Sequence, residues 1–226
     1  MNTKLSTTAL LAAAMTISGA ASAATVLIGP STNNGSFELL DGSGGSTDKA
    51  SNWDTDPDGD VDNWTWLDSV GGDSGTEHIP SRSTDGDRVG YIEPGFGTIN
   101  VTAWDIAVGD EFTLQFDYTA SGRGAVEYGL GYWDGAAFTK IASASAIQGV
   151  DDGSNSPTAD ITLVWTATPG LWVSNDVVVF FDDVVGANTY PELDNVRLSV
   201  EPVPEPGSLA LLGLGGLAML RQRRVS

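Results

Sequence analysis

Cysteine is absent from this chain, and histidine occurs once, as His78. The first absence excludes disulfides, thiol catalysis and cysteine metal sites, so packing or a metal must hold the fold together. The second excludes any multi-histidine zinc or iron site and leaves a catalytic triad without support. No G-x-S-x-G pattern accompanies Gly75-Thr76-Glu77-His78-Ile79-Pro80, so His78 reads as an ordinary loop residue. Basic side chains are scarce: 10 Lys and Arg stand against 30 Asp and Glu. Between Ala24 and Pro202 six basic residues face 29 acidic ones, a net charge of −23. Such a field disfavours nucleic acid and anionic membrane surfaces and suits divalent cations and neutral or cationic ligands. Solubility alone is the plain alternative. Helical periodicity is also missing between Ala24 and Pro202, where 28 glycines over the whole chain go with turns and strands.

Long apolar runs occur only at the two ends. Met1 to Ala23 reads as a secretory signal peptide: Lys4 charges its start, Ala9 to Ile17 form a short apolar centre, and Ala21-Ser22-Ala23 supplies the small-x-small pattern for cleavage after Ala23. At the other end Val203-Pro204-Glu205-Pro206-Gly207-Ser208 is a proline-locked extended linker. Leu209 to Leu220 follows without a charge, then Arg221-Gln222-Arg223-Arg224. Twelve residues at helical rise give about 18 Å, short of the ~30 Å hydrocarbon core, and arginine stems that snorkel narrow the gap. A buried helix is the alternative, but the segment has no polar face. Three parts result: signal peptide 1–23, one domain 24–202, and tail 203–226.

The Pro-Glu-Pro core, Leu-rich segment and terminal arginines, in that order, resemble the PEP-CTERM sorting signal of Gram-negative bacteria. The resemblance implies recognition by an exosortase, transient membrane anchoring, removal of the tail near Pro204-Glu205-Pro206 and delivery to the outer surface. Such proteins often accompany exopolysaccharide and biofilm production.

The middle of the chain alternates apolar and polar residues between Gly, Asp, Asn and Ser clusters. Strands are predicted at 25–28, 36–39, 63–67, 88–93, 98–102, 111–119, 125–133, 138–142, 161–166, 176–181 and 195–200. Phe112, Leu114, Phe116 and Tyr118 make one face of period two; Thr113, Gln115, Asp117 and Thr119 make the other, expected wet or functional. Many short strands without helices predict an all-β antiparallel sandwich or jelly roll.

Asn34-Gly35-Ser36-Phe37-Glu38 and Leu193-Asp194-Asn195-Val196-Arg197-Leu198 resemble the first and last strands of galactose-binding-like jelly rolls, a fold shared by carbohydrate-binding modules. Arg88 to Glu93 and Phe112 to Asp117 fit interior strands of the same pattern. The resemblance implies a structural calcium ion clipping first strand to last, with Glu38 and Asp194 as ligands and backbone carbonyls completing a shell of six to eight oxygens. Caps of solvated turns are the alternative for both residues.

Asp54, Asp56, Asp58, Asp60 and Asp62, with Gly59 sixth in the run, reproduce the start of a D-x-D-x-D-G calcium loop. Thr65 replaces the bidentate glutamate at the twelfth position and Pro57 stiffens the fourth, so an acidic loop is the alternative. Seven tryptophans supply candidate sugar platforms, because ring faces stack on sugar C–H faces. Trp64, Trp66, Trp165, Phe112, Phe116 and Phe180 sit in strand patterns and default to core. Trp53, Trp104, Trp133 and Trp172 sit beside Gly, Asp or Pro, as loop residues would. Tyr132-Trp133-Asp134-Gly135 is the best platform candidate. The reading is an exported, cell-surface-sorted, non-catalytic protein that binds carbohydrate or forms part of the extracellular or biofilm matrix, processed by signal peptidase and exosortase, with extracellular polysaccharide as partner. A matrix or adhesion protein without a sugar site, or a polysaccharide hydrolase, is the alternative.

Overall fold

Phe112, Leu114, Phe116 and Tyr118 all point inward and are buried, as their period requires. The computed structural model describes residues 23–38, 49–51, 63–67, 75–92, 95, 97–121, 125–144, 147–148, 158–183 and 190–202. Within them lie thirteen strands, numbered in chain order, and no helix. The first sheet runs β11 (Thr158–Thr166), β7 (Glu111–Ser121), β13 (Tyr190–Glu201), β5 (Arg88–Tyr91), β4 (Gly75–His78) and β2 (Lys49–Ser51), with β1 (Thr25–Ile28) also on β13. The second runs β10 (Ile147–Gln148), β8 (Ala125–Trp133), β12 (Asp176–Asp183), β6 (Gly97–Asp105) and β3 (Thr65–Trp66), with β9 (Phe138–Ser143) on β8. Every pairing is antiparallel. The fold is an antiparallel β-sandwich.

The core lies between the sheets. Phe116 from the first sheet meets Tyr128 and Phe181 of the second edge-on, at 4.8 and 4.9 Å between ring centres. Val126, Leu130, Val177 and Val179 fill the space around them. Burial of each such side chain contributes roughly 1.5–3 kcal/mol.

β13 organises the first sheet. Its first half pairs with β5 through Glu192 and Leu193, and its second half with β1 through Leu198 to Val200. A bulge between Asp194 and Arg197, with Asn195 at φ 50°, marks the change of partner. There the turn after β1 tucks in: the Val196 amide donates to the Gly35 carbonyl at 2.7 Å. A Cβ on Gly35 would lie 2.1 Å from the Val196 carbonyl oxygen, so glycine is required by close approach of two backbones.

The strand expected at 36–39 does not form in its described part. Asn33, Asn34 and Phe37 have φ of 51, 52 and 59°, and 30–37 is a chain of turns. Phe37 is nevertheless in the core, its ring 4.9 Å from Trp64. β2, β4 and β10 had no counterpart among the expected strands. His78 ends β4, exposed, and is not in a loop. Trp104 lies inside β6, and Trp133 closes β8, so neither is a loop residue.

Candidate functional site

Among the described residues, two polar or mixed regions lie on the outer faces of the sandwich. On the first sheet the outward face of β7, expected wet or functional, carries Asp117 and Thr119, and β13 sets Glu192 and Asp194 opposite them. They are buried: Asp117, Thr119, Glu192 and Asp194 are all within 2–4 % of full burial. The loop 79–87 accounts for much of this. Asp194 Oδ2 accepts the amides of Thr84 at 2.6 Å and Asp85 at 2.8 Å, and Oδ1 that of Asn195 at 2.6 Å. Glu38 Oε1 accepts the amides of Asp87 at 2.7 Å and Arg88 at 2.6 Å, against Gly86 at φ 81°. Asp117 takes the Thr84 hydroxyl at 2.5 Å, the Asn195 side-chain amide at 3.1 Å and the Asp160 amide at 2.8 Å. Arg197 then bonds Asp160 at 2.7 Å. Arg82 pairs with Glu192, whose other oxygen is buried without a hydrogen-bond partner.

Burial pushes the Glu192 carboxyl up to about 7, against the pull of Arg82 and with some help from Glu77. Burial raises Asp194 as well, in spite of its amide donors. The structure therefore brings Glu38 and Asp194 to one loop, as amide acceptors at different points along it. Among the described residues, no three acidic or histidine side chains group as metal ligands. The run from Asp54 to Asp62 lies outside the described residues, as do Trp53 and Ala21; Ala23 is exposed at the start of the described chain.

The second region is the outer face of the second sheet. On β12 the run Val177 to Phe181 is apolar without a break, so this strand is covered on both faces. Val177, Val179 and Phe181 face the core, while Val178 and Phe180 with Ile99 form a separate buried cluster on the far side. Leu67, Trp133 and Phe138 pack against that cluster, half-buried. Cross-strand register places Phe138 opposite Trp133, Lys140 opposite Gly131, and Phe180 opposite both Gly129 and Ile99. Phe138 lies 5.5 Å from Phe180, and the Lys140 ammonium 4.7 Å from the Phe180 ring centre. Lys140 also bonds Glu127 and Asp182, each at 2.8 Å. Partial burial draws the Lys140 pKa down, but the two carboxylates outweigh it and the net direction is up.

Gly131 makes this arrangement possible. A Cβ there would sit 2.2 Å from the Phe138 ring and 2.6 Å from the Thr139 carbonyl oxygen. Because one obstacle is backbone, Gly131→Ala is expected to cost about 1–3 kcal/mol and to displace Phe138; urea denaturation and near-UV circular dichroism check both.

The pleat separates Tyr132 from Trp133. Trp133 joins the outer cluster while Tyr132 packs against the core, so the two do not form one platform. Asp134 accepts the amides of Ala136 and Ala137, which hold its carboxyl below the usual range and close the 134–137 turn. Trp104 packs against the core and donates to Asp110 at 3.0 Å. Trp172 donates to the Thr168 carbonyl at 2.9 Å and meets Trp165 edge-on at 6.0 Å. Both indoles brace the end of the sandwich. Phe138, Lys140, Glu127 and Asp182 were not among the expected site residues, although the doubly apolar strand 177–181 signals an outer cluster.

Residues 202–224 match the PEP-CTERM protein-sorting motif. The tail is a sorting signal. It includes Pro204, Glu205, Pro206, Arg221, Arg223 and Arg224, all outside the described residues. Such a signal implies export, recognition by an exosortase for processing, and sorting to the bacterial cell surface. No curated protein matches the chain. Among solved structures it is similar to the Stig cyclase Fisc from Fischerella sp. TAU, at 17% identity and a TM-score of 0.58, over 80% of this chain and 100% of that one. The apo form of a cyclase from Fischerella sp. gives 16% identity and 0.56, over 80% and 98%. The CBM22-1 xylan-binding domain of Paenibacillus barcinonensis Xyn10C gives 12% and 0.49, over 82% and 100%. At these identities the likeness to the cyclases is one of fold.

Proposed function

We propose that the domain is a non-catalytic carbohydrate-binding component of the envelope or extracellular matrix of a Gram-negative bacterium, and that it takes sugar on the outer face of the second sheet. The observation that carries this reading is the pair Trp133 and Phe138, side by side at the edge of an apolar cluster that faces away from the core, next to Lys140, Glu127 and Asp182. Ring faces suit the C–H face of a sugar, and the ion network suits its hydroxyls. A glycan array tests it. Saturable binding is expected, weakened about threefold to tenfold by Trp133→Ala with the fold retained. A flat array overturns the reading and favours a structural matrix role.

Before processing, the segment 209–220 holds the chain in the inner membrane, and cleavage near Pro204-Glu205-Pro206 releases the domain to the outer surface. Calcium is a proposal of its own, favoured by the meeting of Glu38 and Asp194 on one loop in a chain without disulfides. At that loop the ion would compete with amide donors already in place. The acidic run from Asp54 to Asp62 is the other candidate. Matched thermal melts in calcium and in EDTA decide: a higher midpoint in calcium supports a site, and equal midpoints overturn both.

A further inference from the structure

The large apolar side chains exposed among the described residues are not scattered. Of Val26, Val101, Val108, Val164 and Leu171, all but Val101 lie at or within three residues of one end of the sandwich. Val108 is in the loop 106–110 and Leu171 in the loop 167–175, and these loops are tied together. Gly109 donates to Ala167 at 2.7 Å, Ala167 to Asp110 at 2.8 Å, and Ser174 to Ile106 at 2.9 Å. Leu171 is 84% exposed and Val108 49%, so neither contributes its full area to the core. Val26 is paired with Ser199 and Val164 with Thr113, both close to the same end.

The chain leaves the sandwich at this end. Glu201 is opposite Glu111, the residue that follows the 106–110 loop, and the sorting motif begins at residue 202. From Pro202 to Leu209 the chain spans at most about 25 Å even when fully extended. A tail held in a bilayer therefore tethers the domain by this end, within about 25 Å of the interface. The tether makes the encounter intramolecular, so a small apolar patch suffices. Charge narrows the lipid. Asp105, Glu111, Asp134, Asp176 and Glu201 surround the patch, and no Lys or Arg occurs in the loops 106–110, 134–137 and 167–175.

We propose that, while the tail is uncleaved, the sandwich rests on a zwitterionic lipid surface through the tip formed by Val108 and Leu171. The inference rests on the reading that residues 209–220 are held in the membrane. Because the chain has no cysteine, single Val108→Cys, Leu171→Cys and Ser143→Cys variants can carry a polarity-sensitive dye. Ser143 is exposed and opposite Gly129, four residues along β8 from the tip, about 13 Å away. The full chain is reconstituted with phosphatidylcholine vesicles and floated on a density gradient. The expected result is flotation, a blue shift at positions 108 and 171, and none at 143.

Flotation with unshifted dyes at 108 and 171 overturns the docking and leaves the anchor standing. Failure to float overturns the anchor and the docking with it. A blue shift present before vesicles are added gives the patch to the tail segment or to a second copy, and also overturns the proposal. Phosphatidylglycerol vesicles at low ionic strength are expected to weaken both shifts, since the rim is acidic. Shifts at 108 and 171 that grow with anionic lipid would overturn the choice of a zwitterionic surface.

Discussion

Asp194→Ala is expected to destabilise the domain by roughly 3 kcal/mol, the largest effect of any single substitution considered. The carboxylate accepts three backbone amides, from Thr84, Asp85 and Asn195, at a position 2% exposed. Alanine leaves those part-buried donors without an acceptor, at about 1 kcal/mol or more each, and the desolvation relieved by removing a costly carboxylate offsets part of it. For a domain of this size each kcal/mol moves the melting midpoint by about 2–4 °C, so a fall of roughly 6–12 °C is expected by calorimetry. Asp194→Asn keeps an acceptor oxygen and should recover a good part of the loss. Equal midpoints for wild type and Asp194→Ala would show that the 79–87 loop is not held through this residue.

The second large effect is a dependence on pH. Glu192 is 3% exposed, and its carboxyl is pushed up to about 7 from 4.5. A raised folded-state pKa means that the native state binds the proton more tightly than the unfolded chain does. Its contribution is therefore fully present below about 4.5 and is lost as pH rises through about 7. The slope is up to about 1.4 kcal/mol per pH unit across that window, about 3 kcal/mol in all. Urea denaturation at pH 5 and pH 8 is expected to show the wild type more stable at pH 5. Glu192→Gln imitates the protonated carboxyl, so it should match the wild type at pH 5, exceed it at pH 8 and flatten the profile. A Gln variant with an unchanged slope would assign the pH dependence to other carboxylates, Asp194 first among them.

Much of the sandwich was legible from residue period. Phe112, Leu114, Phe116 and Tyr118 declare an inward face, and the strand expected at 125–133 is β8 from end to end. The misses have local causes. Lys49–Ser51 and Ile147–Gln148 are too short to show a period, and Gly75–His78 carries one glycine and no aliphatic residue. Ser36 and Phe37 look like strand residues by type, yet positive φ at Asn33, Asn34 and Phe37 winds the segment into turns. The candidate sites were harder to read. Alternation gave Asp117 and Thr119 the correct face, but a strand pattern carries no information about a loop folding over that face. The meeting of Glu38 and Asp194 on the 79–87 loop was foreshadowed by resemblance alone, since they are joined by tertiary structure and not by spacing. For Tyr132 and Trp133 adjacency in sequence misled, because in a pleated strand neighbours point apart.

The place of β13 bears on how the chain travels. The last strand lies inside its sheet, flanked by β7 on one side and by β5 and β1 on the other, and Thr25 finds its partner in Val200. A polypeptide threading through a translocase from its amino end cannot close this sheet until residue 200 has emerged. Closure across so long a sequence separation is also slow. In a chain exported from its amino end, late locking of this kind would keep the precursor pliable until it has passed.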